Sequence, residues 1–350
     1  MSMNSPGNYP YLNARLRAGI SGFFGRGTFA GLASGTLQDL EVFLLESSYG
    51  KTFRRELVQN PHSVYQRIET ALALGASDKL QKARNMARGE PEVLFEVLLS
   101  RADLHNSRLL IRSFDQEGFR GSEPLWHGYG TLSREFYHSL WVRQGFQEIM
   151  DQCFANGHAV ARALAASFSD LEIAGNVVRA ERKFLSLFLG YFTNLLKKSR
   201  GSNARLVAEY LGRVVDIWNI NIWRRTETGK VDMAEAAGTF LPGGAHIEQK
   251  RLTQTGSIED LLAGTPWSAI FGKKRGNDPV DFQRKLSDTF TLWQCSLLRK
   301  NPLGIEVAMG YAARQILEWN NLHITSVGIA MGFSADDIMS RLTFPGEGDV

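Results

Sequence analysis

The chain has 350 residues, 43% of them hydrophobic, which is enough to bury a sizeable core and sets disorder aside. Its 40 basic and 36 acidic residues leave a net charge of +4, too small an excess to argue for nucleic acid and equally suited to acidic protein partners or an anionic membrane face. Cys153 and Cys295 lie far apart in sequence without metal-ligand spacing, which predicts a reducing compartment and no disulfide framework.

The start, MSMNSPGNYPY, has neither the basic nor the apolar segment of a leader. Residues 19–37, GISGFFGRGTFAGLASGTL, are long enough to span a bilayer, but six glycines and the central Arg26 argue against insertion. A soluble, flexible hairpin region is expected there. EPEVLFEVLLSRADLHNSRLLIRS reads as a helix with Pro91 near its start. FLSLFLGYFTNLLKK is a second, ending on Lys197 and Lys198, where the negative end of a helix favours cations. SRGSNA then turns the chain. In ARLVAEYLGRVVDIWNINIWRR, Val207, Tyr210, Leu211, Val214, Trp218 and Ile222 recur at steps of three and four and predict one long amphipathic helix. Another is expected from NPLGIEV, with Asn301 as N-cap and Pro302 as first helical residue, running through Met309, Ala312, Ile316 and Trp319. GTFLPGG and HGYGTL read as turns, not as hairpins with alternating arms. The fold class is all-α, built of long helices with short connections.

An acid-x-x-Asn quartet occurs three times: Asp103 with Asn106, Asp216 with Asn219, and Glu318 with Asn321. Composition alone would give roughly one or two such quartets, so context must carry the argument. Each lies late in a long apolar helix, ahead of a glycine-marked turn and a short amphipathic segment: YGTLSREFYHSLW, LPGGAHIEQKRL and MGFSADDIMSRL. The order predicts three divergent copies, residues 9–143, 144–256 and 257–344. Residues i and i+3 share a helix face, so acid and amide project side by side. Buried among apolar neighbours, the pair must find partners, and unpaired backbone groups of an adjacent turn or helix end are the natural ones. The quartets are therefore expected to be architectural brackets.

The motifs of catalysis and cofactor binding do not appear. GRGTFA, from Gly25 to Ala30, follows no strand and opens no βαβ unit, so it lacks the context of a dinucleotide fingerprint. The sequence contains no P-loop, no H-E-x-x-H, no C-x-x-C and no G-x-S-x-G elbow. No catalytic, cofactor-binding or metal site is expected. The short basic clusters, Arg54–Arg55, KKSR at 197–200, Arg224–Arg225 and KKR at 273–275, lack the interleaved aromatics that single-stranded nucleic acid would need.

YLNARLRA (Tyr11 to Ala18), RADLHNSRLLIRS, GTL at 130–132, YLGRVVDIWNINIWRR, LPGG at 241–244 and NPLGIEVAMGYAARQILEWNNLHI resemble, in this order and over essentially the whole chain, the C subunit family of rotary A/V-type ATPases, whose eukaryotic member is called the d subunit. The resemblance implies three pseudo-symmetric helical units forming a funnel with a central cavity. It also implies a monomeric central-stalk adaptor between the shaft of the ATPase head and the membrane ring of proteolipid subunits, on the cytoplasmic face of the membrane. The third copy departs from the family pattern E-x-x-N-L-R, with His323 in place of the arginine and Thr325 and Ser326 after it; Trp218 and Trp319 add bulk beyond the common pattern. Arg112, Arg224 and Arg225 follow the first two quartets in matched positions and are candidates for partner contact, with a solvated helix end as the alternative. Two rival readings stay open: an all-α enzyme using one quartet as acid and polariser, and a helical scaffold for unrelated partners. The repeat length, near a hundred residues, is too long for the usual solenoids.

Overall fold

The structure, a computed structural model, describes residues 7–59, 63–114, 123–143, 145–199, 201–227, 229, 232–271 and 279–346. Arg200 and the KKR cluster at 273–275 lie outside them. Three- and four-residue apolar spacing gives helices throughout: among the described residues there are 18 α-helices, short 3₁₀ turns and no strand. None of these helices is long and apolar enough to cross a membrane. By packing, the chain divides into two compact units.

The first unit draws on Met1–Ala102, Leu125–Arg134 and Thr291–Val350. Its centre is the helix Glu306–Ala330, buried on nearly every side, as expected of a helix whose apolar residues do not keep to one stripe. Val64–Met86 packs along it, together with Tyr9–Ala18, Arg26–Ala33, Glu90–Leu99 and Ala335–Arg341. Glycine sets one of these approaches and makes room for the Tyr49 ring against Val64–Met86. A Cβ at Gly328 would fall 2.6 Å from Ile338 Cγ1, and one at Gly75 would fall 2.5 Å from the Tyr49 ring. Asn13 ties the N-terminal helix to the turn before Glu306 by donating to the carbonyls of Pro302 (2.8 Å) and Gly304 (2.9 Å).

Two expectations in this unit need correction. The central helix begins at Glu306, not at Pro302; Asn301 instead accepts from the Leu303 N–H at 3.0 Å, closing an Asx turn. Residues 19–37 are not a hairpin: Arg26–Ala33 is an α-helix that buries Phe29, Leu32 and Ala33, while Gly27 and Gly31 face open space. Three apolar residues at helical spacing outweigh the cost of the glycines because the packing surface is available. EPEVLFEVLLSRADLHNSRLLIRS forms two successive helices, Glu90–Leu99 and Arg101–Ser113, meeting at Ser100, whose hydroxyl donates back to the Val97 carbonyl.

The second unit draws on Asp103–Pro124 and Glu135–Phe290. Phe146–Asn156, Ala159–Ala174 and Val177–Leu196 pack in succession. Gly157 and Gly175, at φ +73° and +60°, close the first two as left-handed C-caps. Ser202–Glu227 is the predicted long amphipathic helix. It buries Val207, Tyr210, Leu211, Trp218 and Ile222, with Val215 in place of the half-buried Val214. Both cysteines are buried, and neither is in a disulfide.

Candidate functional site

The asparagines of the second and third quartets make the same contact. Asn219 donates from Nδ2 to the Leu241 carbonyl and accepts the Leu241 N–H at Oδ1, both at 2.8 Å. Asn321 donates to the Thr343 carbonyl at 2.8 Å and accepts the Thr343 N–H at 3.2 Å. In each case the clamped residue is 22 positions on. A seven-residue helix lies between: Met233–Thr239 capped by Asp232, and Ala335–Arg341 capped by Ser334. Clamp, cap and helix thus recur at one sequence offset of 102 residues. The counterpart of ADDIMSR is therefore MAEAAGT, ahead of LPGG, and not the LPGGAHIEQKRL segment that the glycine-turn pattern suggests. MAEAAGT carries a single large apolar side chain, Met233, so the periodicity that finds long helices passes over it. Asn106 is fully buried in Arg101–Ser113.

Each quartet acid accepts a hydrogen bond from an aromatic donor. The Tyr137 hydroxyl, also 3.2 Å from the Ser107 hydroxyl, reaches the Asp103 carbonyl at 3.3 Å and Oδ1 at 3.4 Å. Asp216 receives Trp267 Nε1 (3.0 Å), the His246 N–H (3.0 Å) and the Ile247 N–H (3.2 Å). Burial pushes its carboxyl up to about 6, against the pull of these three donors and of the Arg213 charge. The close approach depends on Gly244, where a Cβ would sit 2.4 Å from Asp216 Oδ1; at the preceding position φ is +91°, so LPGG needs glycine twice. Glu318 accepts the Phe24 N–H (2.8 Å) and the Tyr49 hydroxyl (3.0 Å) and pairs with Lys79 at 3.4 Å. Tyr49 and Tyr137 are both raised, chiefly by burial and next by the facing carboxylate, which keeps each phenol protonated as a donor.

The arginine candidates are engaged within the chain. Arg112 Nε lies 2.5 Å and Arg108 Nε 3.5 Å from the buried Glu181 carboxylate. Arg108 also stacks over Trp218 at 5.5 Å, and burial lowers its ionisation range. Arg224 pairs with Glu227 at 2.6 Å and lies over the Phe282 ring at 4.8 Å. Arg225 is half-buried on the same last turn, and its charge opposes that of Arg108. His323 holds Glu69 Oε2 at 2.5 Å, and the Ser326 hydroxyl bonds the other oxygen of the same carboxylate. Among the described residues, no three His, Cys, Asp or Glu side chains gather as metal ligands.

Sequence reasoning misses the partners of these groups: Tyr49, Trp267, Leu241, Thr343 and Glu181. An aromatic donor 51 or 269 positions from its acceptor leaves no local periodicity, and a backbone partner leaves no residue-type signal. The repeated offset of the capped short helices is the one signal that could have found Leu241 and Thr343.

The quartets belong to an all-helical protein whose buried acids and amides are bonded to backbone groups and aromatic donors. Residues 12–341 match the family described as ATP synthase (C/AC39) subunit, and the chain belongs to that family. It is 22% identical over 349 residues to the C subunit of the A-type ATP synthase of Methanococcoides burtonii, covering 97% of this chain and 95% of that one. With the C subunit of the V-type ATP synthase of Thermus thermophilus the identity is 24% over 327 residues, 91% of this chain and 92% of the relative. The C subunit of the A-type ATP synthase of Halobacterium salinarum is 21% identical over 360 residues, with 98% and 99% covered.

Proposed function

We propose that this chain is a non-catalytic rotor adaptor that couples the central shaft of an A/V-type ATPase to its membrane proteolipid ring, on the cytoplasmic face, in support of ATP-linked proton or sodium transport. The observation that carries the reading is the family match along residues 12–341, with relatives of nearly the same length that are named as C subunits of A-type and V-type ATP synthases. An adaptor needs shape under torque and no chemistry of its own. Long helices at interior packing density resist deformation, and buried acid and amide side chains, each answered by a donor or a peptide group, fix how a helix meets the next segment.

In this reading the chain is three repeated helical units, residues 9–143, 144–256 and 257–344, arranged as a funnel around a cavity that receives the shaft. The common offset of the Asn219 and Asn321 clamps supports the repeat. Asp103, Asn106, Asp216, Asn219, Glu318 and Asn321 serve as its brackets. Arg112, Arg224 and Arg225, already paired or stacked inside the chain, take part in partner contact only through their outward edges, as rim charges that tune association. The test is retention of purified shaft proteins, and separately of detergent-solubilised ring, on the immobilised full chain. The adaptor reading expects both to be held in a salt-sensitive manner; retention of neither overturns it.

A further inference from the structure

We propose that a cleft in the first unit, walled by Phe23, Phe24, Phe29 and Phe344 and carrying Arg314 and Arg26, binds a carboxylate borne on an apolar stem. The cleft encloses about 410 Å³, within the range of small-molecule sites, roughly 300–1,000 Å³. Arg314 lines it and is only 8% exposed. Its guanidinium carbon lies 5.4 Å from the Phe23 ring centroid, and among the described residues it has neither an ion pair nor a hydrogen bond. Buried arginines are ordinarily paired, because an unanswered cation away from water is costly. Arg314 is therefore a largely buried side chain on the cavity wall, and no described residue pairs with its guanidinium.

The nearest acid on the same helix does not answer it. Glu318, one turn further on, also lines the cleft, but its oxygens are taken by the Phe24 N–H, the Tyr49 hydroxyl and Lys79. Arg26, over Phe344 at 5.7 Å, adds a second cation on an exposed position. The charged groups facing the cavity are thus Arg314, Arg26 and a Glu318 already neutralised by Lys79, which leaves the site cationic. A guanidinium fork matches a carboxylate through two parallel hydrogen bonds, and four phenyl rings suit an aromatic or aliphatic stem better than water. Two sources offer that chemistry: a free small carboxylic acid, or the C-terminal carboxylate of a peptide ending in an apolar residue. The inference does not depend on the adaptor reading, since the cleft can bind its ligand whether or not shaft and ring are retained.

Calorimetric titration of the full chain tests it with four probes: 3-phenylpropionate, its amide, a pentapeptide ending in phenylalanine, and the same peptide amidated. Each carboxylate is expected to bind at least about tenfold more tightly than its amide, as charge-assisted hydrogen bonds require. Arg314→Gln should bring carboxylate binding down to the amide level while the thermal melt stays cooperative. Tighter binding of the peptide assigns the site to a chain terminus, and tighter binding of the small acid assigns it to a metabolite-like ligand. Equal affinities for acid and amide, absence of binding by all four probes, or undiminished binding by Arg314→Gln would overturn the proposal. The acid–amide comparison is made on the unsubstituted chain and stands even if Arg314→Gln does not fold.

Discussion

Asn219 and Leu241 exchange two hydrogen bonds, amide to peptide in both directions, and both residues are almost wholly buried. The Leu241 carbonyl and N–H therefore rely on one side chain. Asn219→Ala should cost about 2–4 kcal/mol, the loss of two bonds with a buried donor and acceptor left unpaired. Asn219→Asp should cost a similar amount, because a carboxylate can accept the N–H but cannot donate to the carbonyl. Asn321→Ala should cost less, about 1–3 kcal/mol, since Thr343 is only half-buried and water can replace the side chain. Urea denaturation midpoints at constant slope measure all three.

The long helices are legible in the sequence because their apolar spacing is strong: Ser202–Glu227 follows from the stripe through Val207, Leu211, Trp218 and Ile222, and FLSLFLGYFTNLLKK, from Phe184, reads the latter part of Val177–Leu196. The quartets are legible as polar groups in apolar text. Their partners are not, because Tyr49 meets Glu318 across 269 positions and no local pattern records such a pairing. The 26–33 helix is hidden because glycine content masks the spacing of Phe29, Leu32 and Ala33. The arginine candidates rest on their position after the quartets, which carries no information about Glu181, the buried acid that engages Arg112.

Asp216 should make stability depend on pH. Burial raises its carboxyl from 3.8 to about 6. Between those values the folded chain keeps a proton that the unfolded chain has released, so this group's contribution to stability falls as pH rises through that window and is level above it. Asp216→Asn removes the titration. The difference in unfolding free energy between the native chain and Asp216→Asn should decline from pH 4 to pH 6 and then flatten; a difference that is constant across that range contradicts the assignment.

His323 gives a second window with the same slope. Its hydrogen bond to Glu69 raises it above 6.5, against the opposing effect of burial. The stabilisation is complete below 6.5 and is lost as pH rises through the folded-state value. His323→Arg, which keeps a positive charge at every pH, should keep the pairing with Glu69 and flatten the melting temperature between pH ~6 and ~9. Thermal melts across that range compare the two chains.

Glu181 is the anion of a buried cluster, 3% exposed, while Arg112 is 47% exposed. Glu181→Ala should cost about 1.5–3 kcal/mol because two half-buried guanidinium groups lose the carboxylate they share. Arg112→Ala should cost no more than about 1 kcal/mol, since Arg108 and solvent still serve the carboxylate. Equal losses in chemical denaturation would place the cluster's stability elsewhere.

The adaptor reading is tested most directly by bridging. Purified shaft and detergent-solubilised proteolipid ring, mixed with and without this chain, would be resolved by size-exclusion chromatography with light scattering. The account predicts a ternary species containing one copy of the chain, and no shaft–ring complex in its absence. Shaft and ring that associate equally well without the chain, or that both elute apart from it, would contradict the account.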